Sequence, residues 1–232
     1  MSPDDSHIPL RSTLKQSGIL TMEIPMDTRI RLAEPTPTDA IAFAQLANMA
    51  SHDVLADVMG TDFEQALVAM FLRDDNLYSY RQTRFLEVGH DIAGMLCAFS
   101  GQQKADLNAE TDRQFLSFPG AGSESAVQVR NQLQPISDFI DTVPIEAFYI
   151  QFLAVYPQAR GKGYARQLMA LANDLAVDHG AKTLELDVET GNQPALIAYL
   201  GSGLRIIRTS PEVTYDKQNR GLALHRMAKV TA

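Results

Sequence analysis

The residues best placed to do chemistry lie in one run, Leu153-Ala154-Val155-Tyr156-Pro157-Gln158-Ala159-Arg160-Gly161-Lys162-Gly163-Tyr164-Ala165. The run reads as a strand, a tight glycine turn and the start of a long helix. A helix start presents backbone N–H groups with no intrahelical acceptor at the positive end of the helix dipole, a combination suited to an anion such as a diphosphate. Gly161 and Gly163 let the main chain approach the anion and adopt positive φ, while Arg160 and Lys162 bring positive charge beside it. Each dipole contact contributes only about 0.3–1 kcal/mol, so binding needs the whole loop. Spacing excludes two other phosphate loops. Lys162 is followed by Gly163 rather than Ser or Thr, and the position three after Gly163 is Arg166 rather than glycine. A Gly-x-Gly helix start alone also fits a purely structural turn.

Gln158-x-x-Gly161-x-Gly163 after a Leu-Ala-Val strand resembles the acyl-CoA-binding motif of the GNAT superfamily of N-acyltransferases. Asn192-x-x-Ala195-x-x-x-Tyr199 resembles that superfamily's second signature, and the close resemblance runs from Phe148 to Ile207. One departure is Gly203-Leu204, where many relatives carry glycine then phenylalanine. The resemblance implies an α/β (α+β) chain of GNAT type: a three-layer α/β/α fold whose twisted mixed sheet is splayed between two parallel central strands. It implies acetyl-CoA or another acyl-CoA as co-substrate, no metal, and acyl transfer to a primary amine of a small molecule or a protein. The backbone of Leu153, Ala154 and Val155 would hold the pantetheine arm, and Arg160, Gly161, Lys162, Gly163, Tyr164 and Ala165 the diphosphate. Asn192 would cap its helix and bond the arm. The Val155 N–H would serve as oxyanion donor and Tyr199 as general acid for the leaving thiolate. A non-catalytic acyl-CoA sensor that kept the cofactor site is the competing expectation.

Transfer to an amine needs a neutral nucleophile, and an alkyl amine with a pKa of about 10.4 is almost wholly protonated at neutral pH. No base stands out. Tyr149 and Gln151 share strand parity with Leu153 and Val155 and so are expected to face the substrate, but neither is a carboxylate or a histidine. Glu146, Glu189, acids of the 101–147 segment and a water chain all stay open. His52, His90, His179 and His225 have no metal-ligand spacing and read as surface or helix-end residues. Cys97, the sole cysteine, reads as a buried structural thiol, and Glu185 and Asp187 as lining a polar face.

The elements that position these residues follow from periodicity. Thr28–Leu32 alternates as a strand, and Thr36-Pro37 starts a helix with apolar positions Ile41, Phe43, Ala44 and Leu46. Thr61-Asp62-Phe63-Glu64 has a capping-box pattern, and the apolar positions after it are core. Arg84–Val88 and Ile92–Ser100 flank a Gly89-His90-Asp91 turn as a hairpin. Phe148–Tyr156 is a strand, Gly163–His179 a helix closed by Gly180, and Thr183–Val188 an alternating strand, so the two strands pair in parallel through a crossover helix. A helix from Asn192 and strands near Leu204–Arg208 and Leu222–Val230 complete the order. Residues 1–26, with Pro3, Pro9 and Pro25, read as a flexible tail before a 27–232 domain. Residues 101–147 form an insertion with one short helix near Ser123–Leu133, too long for a structureless connection and so either a functional insertion or a mobile lid.

Bulk properties narrow the partners. The 232 residues suffice for one sizeable domain, and 45% hydrophobic with 21% charged residues is globular composition. A net charge of −8 without Lys/Arg blocks argues against a nucleic-acid partner. The longest apolar run, Ala66–Leu72, is far short of a bilayer span, which argues against a membrane, and Met1–Leu20 lacks a signal-peptide core. One cysteine fits a reducing compartment, so a soluble cytoplasmic protein is expected. The expected partner is the amine acceptor, with homodimerisation left open.

Overall fold

A computed structural model describes residues 28–215 and 220–231. The expected tail over residues 1–26 lies outside them. Strand β1 (Thr28–Leu32) ends at helix α1 (Pro37–Ala50), where the Thr36 hydroxyl accepts the Asp39 N–H at 3.3 Å and Pro37 takes the first helical position. Asp39 in turn receives both terminal nitrogens of Arg31 at 2.7 and 2.8 Å, which ties α1 to β1. The buried positions of α1 include Ala40, Phe43, Ala44, Leu46 and Ala47, whereas Ile41, expected on the core side, faces solvent. Helix α2 (Val54–Met59), unforeseen in the sequence, precedes α3 (Phe63–Phe71). The expected capping box at Thr61 does not form. Asp62 is the N-cap, and its carboxylate instead accepts the Gly120 N–H at 3.0 Å.

Strands β2 (Thr83–Val88) and β3 (Asp91–Ser100) make the expected hairpin. The 101–147 segment then departs from expectation: it holds two long helices, α4 (Gly101–Leu116) and α5 (Glu124–Ile140). Ser100 and Gln103 cap α4 reciprocally, and Ser123 caps α5. Helix α5 continues past Pro135 because the carbonyl that proline leaves unbonded, on Asn131, belongs to an exposed residue that water can serve. Both ends of the segment are pinched together. A Cβ on Gly101 would sit 1.9 Å from the Pro144 carbonyl oxygen, so only glycine fits there. The segment packs against the C-terminal strands: Ile136 and Phe139 are buried with Leu222 and Leu224.

Strand β4 (Ala147–Val155), helix α6 (Tyr164–Asp178), strand β5 (Thr183–Glu189) and helix α7 (Gln193–Gly201) follow. Then come β6 (Arg205–Thr209), a small hairpin of β7 (Val213–Tyr215) and β8 (Arg220–Leu222), and β9 (Leu224–Val230). The main sheet has seven strands in the order β1-β2-β3-β4-β5-β9-β6, antiparallel except for the parallel β4–β5 pair. Leu86, Leu96, Phe148, Leu184 and Leu186 pack under Leu168 and Ala172 of α6. Phe85, Met95, Cys97 and Phe152 pack on Phe43, Leu67 and Phe71 of α1 and α3. The result is the expected three-layer mixed α/β fold of GNAT type. Among the described residues, no helix is long and apolar enough to cross a membrane.

Candidate active site

One extra residue shapes the centre of the sheet. Along the β3–β4 ladder Cys97 faces Phe152 and Ala98 faces Ile150, so Gln151 is a bulge. The bulge reverses which side of the sheet each parity faces. Before it Phe148 and Ile150 point to α6, and after it Leu153 and Val155 do, while Phe152 and Ala154 join the α1 side with Tyr149. The expected shared face of Tyr149 with Leu153 and Val155 is therefore wrong, because simple alternation fails across a bulge.

The same point is where β4 leaves β5. The parallel ladder runs only from Ala147 opposite Thr183 to Ile150 opposite Leu186, although both strands continue, to Val155 and to Glu189. Tyr156 N–H donates to Ala93 O of β3 at 3.0 Å, so the Val155 N–H one residue earlier points to the opposite edge, into the gap beside β5. The glycine turn adjoins this gap. Gly161 and Gly163 have φ of +77° and +80°, and a Cβ on Gly161 would meet nothing within 4 Å, so that face of the turn is open. Gly163 is the N-cap of α6, which leaves the first-turn N–H groups directed outward.

A cleft of about 450 Å³ occupies the gap. Of the residues expected to bind cofactor or act in catalysis, Leu153, Ala154, Val155, Arg160, Ala165, Asn192 and Tyr199 line it. Gly161, Lys162 and Gly163 lie beyond that lining, on the turn at its rim. Arg160 is partly engaged, since its Nε donates to Val155 O at 3.1 Å. Tyr164 offers only its backbone: the side chain is buried in the α6 core and its hydroxyl has no partner. Asn192 caps α7 as expected, its Oδ1 accepting the Ala195 N–H at 3.2 Å. The Tyr199 phenol, one turn further along, makes no recorded hydrogen bond, and burial alone pushes its pKa up to about 12.

On the opposite wall, the turn between α1 and α2 brings in a residue read from the sequence as mere surface. His52, at φ +47°, reaches over the cleft so that Nδ1 lies 2.9 Å from Glu189 Oε2 and Nε2 lies 3.4 Å from Asn192 Nδ2. Glu189 had been one of several open choices for a base, and His52 had no sequence signal because its partners are 137 and 140 residues away. His90 and His179 are exposed, and His225 bonds Thr209 at 2.8 Å on the outer strands. Cys97 is fully buried, and burial pushes its thiol up to about 12, consistent with a structural role.

Beneath the cleft sits a second arrangement that sequence reading missed. Arg226 of β9, 2% exposed in its side chain, clasps Asp187 through Nε at 2.6 Å and Nη2 at 2.8 Å, and Tyr149 Oη donates to the same carboxylate at 2.9 Å. Its guanidinium also donates to the carbonyls of Phe139, Ile140 and Thr142, the C-terminal end of α5. Asp187 and Glu185 thus line a polar face as expected, but a buried one built around an internal cation. The signal was present as Glu185 and Asp187 alternating on β5 opposite an arginine on a buried strand face.

Comparison with known proteins agrees with this geometry. Residues 135–202 match the model of the acetyltransferase (GNAT) family. An N-acetyltransferase from Staphylococcus aureus Mu50 superposes with a TM-score of 0.62 at 20% identity, covering 87% of this chain and 100% of its own. A ribosomal-protein-alanine N-acetyltransferase from Brucella melitensis gives 0.53 at 19%, covering 87% and 99%. A Bacillus subtilis acetyltransferase solved in complex with CoA gives 0.51 at 16%, covering 88% and 99%. No curated protein matches the sequence. The family model thus falls on the bulged strand, the glycine turn and α7, so residues 135–202 are similar to the GNAT acetyltransferase family, and most of the chain shares the fold of these acetyltransferases.

Proposed function

We propose that the protein transfers an acetyl group from acetyl-CoA directly to a primary amine. The observation that carries this reading is the parting of β4 from β5 beyond Ile150 and Leu186, beside an open glycine turn and an unbonded tyrosine. An extended pantetheine arm adds to the free edge of β4 as a strand would, using backbone groups of Leu153–Val155, which explains why those side chains can be bland. The diphosphate takes the N–H groups of residues 161–165 with Arg160 and Lys162 nearby, and Asn192 bonds the arm.

His52 is the base in this reading. With Glu189 accepting from Nδ1, the lone pair of Nε2 accepts the long 3.4 Å contact from Asn192 Nδ2 at the edge of the cleft, and the incoming amine displaces that donor. It removes a proton from the amine, whose nitrogen then attacks the thioester carbonyl. The C–N bond forms as charge moves to the carbonyl oxygen, which the Val155 N–H stabilises. The C–S bond then breaks as the Tyr199 phenol gives the leaving sulfur its proton, and the nitrogen passes its surplus proton back to the phenolate, which leaves amide, thiol and neutral Tyr199.

Calorimetry with CoA and acetyl-CoA, followed by thiol release with a broad amine panel, tests the proposal. Binding with turnover supports it. Binding without release across the panel points to an acyl-CoA sensor, and absence of binding removes the reading altogether.

A further inference from the structure

The cleft does not end at the parted strands. Beyond the bulge it is closed by Val54 of α2, Ile136 and Ile140 of α5, Leu222 of β8 and Leu224 of β9. These belong to one apolar cluster in which the inserted helix packs on the small hairpin, so the insertion builds this wall. Only two carboxylates line the cleft among the described residues. Asp187 is held by Arg226 and Tyr149, and Glu189 is held by His52. Among the described residues of the lining, no carboxylate is left over to receive a second ammonium.

Resting on the acetyl-transfer reading above, we infer that the acceptor is a monoamine whose nitrogen is carried on an apolar group, aliphatic or aromatic, that lies against the wall of Val54, Ile136, Ile140, Leu222 and Leu224. The amine head is discharged at His52, and the rest of the acceptor trades water for hydrocarbon. Diamines and polyamines are rejected, because their second cation would be desolvated against the wall with no counter-charge. The chain's net charge of −8 attracts cations in general, and the pocket chooses among them.

The test compares hexylamine with cadaverine, which have the same length and differ in a terminal methyl against a terminal ammonium. Phenethylamine and spermidine extend the series, all with acetyl-CoA and thiol detection. Hexylamine and phenethylamine are expected to exceed cadaverine and spermidine in kcat/KM by at least tenfold. Val54→Glu puts a carboxylate into the wall at the first residue of α2, where a negative charge suits the helix end, and should cut the hexylamine-to-cadaverine ratio at least tenfold. Equal or better use of cadaverine or spermidine by the unmodified protein overturns the inference, as does an unchanged ratio in folded Val54→Glu. Should that variant fail to fold, the unmodified protein's ratio decides. Faster turnover of decanoyl-CoA than acetyl-CoA also overturns it, by giving the wall to the acyl chain. Acetyl-CoA binding with no panel amine acetylated overturns the acceptor assignment while the cofactor reading stands, whereas no CoA binding removes both.

Discussion

Replacing Tyr199 by phenylalanine separates chemistry from binding with unusual clarity in this site. The phenol makes no recorded hydrogen bond to the protein, so its removal strands no partner, and stability should stay within about 0.5 kcal/mol. Burial raises its pKa to about 12, well above the roughly 8.5 of an ordinary thiol. Full proton transfer from the phenol to the leaving sulfur is then uphill until the sulfur itself is desolvated, so hydrogen-bond donation to the developing thiolate carries most of the effect. A hydrogen bond to a charged group contributes about 1.5–3 kcal/mol, which converts to about a 10- to 150-fold fall in kcat. The dissociation constant for CoA should move less than about threefold. Because the phenol stays protonated to near pH 12, it should impose no decline in kcat between pH 8 and 10. Stopped thiol-release assays over that range, with calorimetry of CoA, supply both numbers. A kcat loss under about threefold refutes the assignment. So does a decline near pH 9 that disappears in Tyr199→Phe, since the buried phenol would then be titrating where its surroundings forbid it.

Four other expectations follow from the same geometry. His52→Gln should lower kcat/KM for the amine by about 10²-fold or more at pH 7, and the gap to the unmodified enzyme should narrow as pH nears the amine pKa of about 10.4, because the acceptor then arrives neutral. Gly161→Ala places a methyl on the open face of the turn at φ +77°; calorimetry should show CoA affinity at least tenfold weaker, with about 1–2 kcal/mol lost from stability in urea unfolding. Arg226→Met leaves buried Asp187 and Glu185 without their cation and the α5 carbonyls without a donor, so urea titration should show a loss of about 3–5 kcal/mol. Cys97 has its folded pKa raised from 9.0 to about 12, so its contribution is fully present below about pH 9 and falls as pH rises towards 12; at pH 10 it should be down by about 1.4 kcal/mol, and Cys97→Ala should abolish that part of the alkaline slope.

The parts of the fold legible in the sequence are those set by local rules. Thr36-Pro37 capped its helix, Gly180 closed α6 at φ +63°, and the Leu184-Leu186-Val188 alternation placed β5 correctly. Local rules failed where a distant partner decided. The Thr61 capping box did not form and Asp62 bonds Gly120 instead, and the Ser123 helix ran on past Pro135, whose unbonded carbonyl belongs to the exposed Asn131. The glycine turn could be read from neighbouring residues. The far wall of the cleft could not, since Met49, His52, Val54, Ile136, Ile140, Leu222 and Leu224 converge only through tertiary packing. His52 shows this most plainly: nothing near it in the chain distinguishes it from His90, and only its Glu189 and Asn192 contacts across the cleft do.

The bulge at Gln151 and the arginine at 226 are coupled parts of one device. A bulge increases local twist and ends pairing, which would leave the upper half of β5 with no strand beside it on the β4 edge. β5 is instead held from its other edge by β9 through Glu189, and from one face by Arg226, which grips Asp187 just after the ladder stops. The same guanidinium binds the last carbonyls of α5, so the helix that walls the far end of the cleft is indexed to the strand that borders the gap. Loosening that clasp would therefore move both halves of the cleft together. It follows that any Arg226 substitution mild enough to fold should raise the KM for the amine as well as for acetyl-CoA, whereas changes at Ile136 or Ile140 should raise the amine KM alone. Steady-state kinetics with each substrate varied distinguishes the two patterns, and a cofactor-only effect from an Arg226 variant would show that the wall and the gap are held independently.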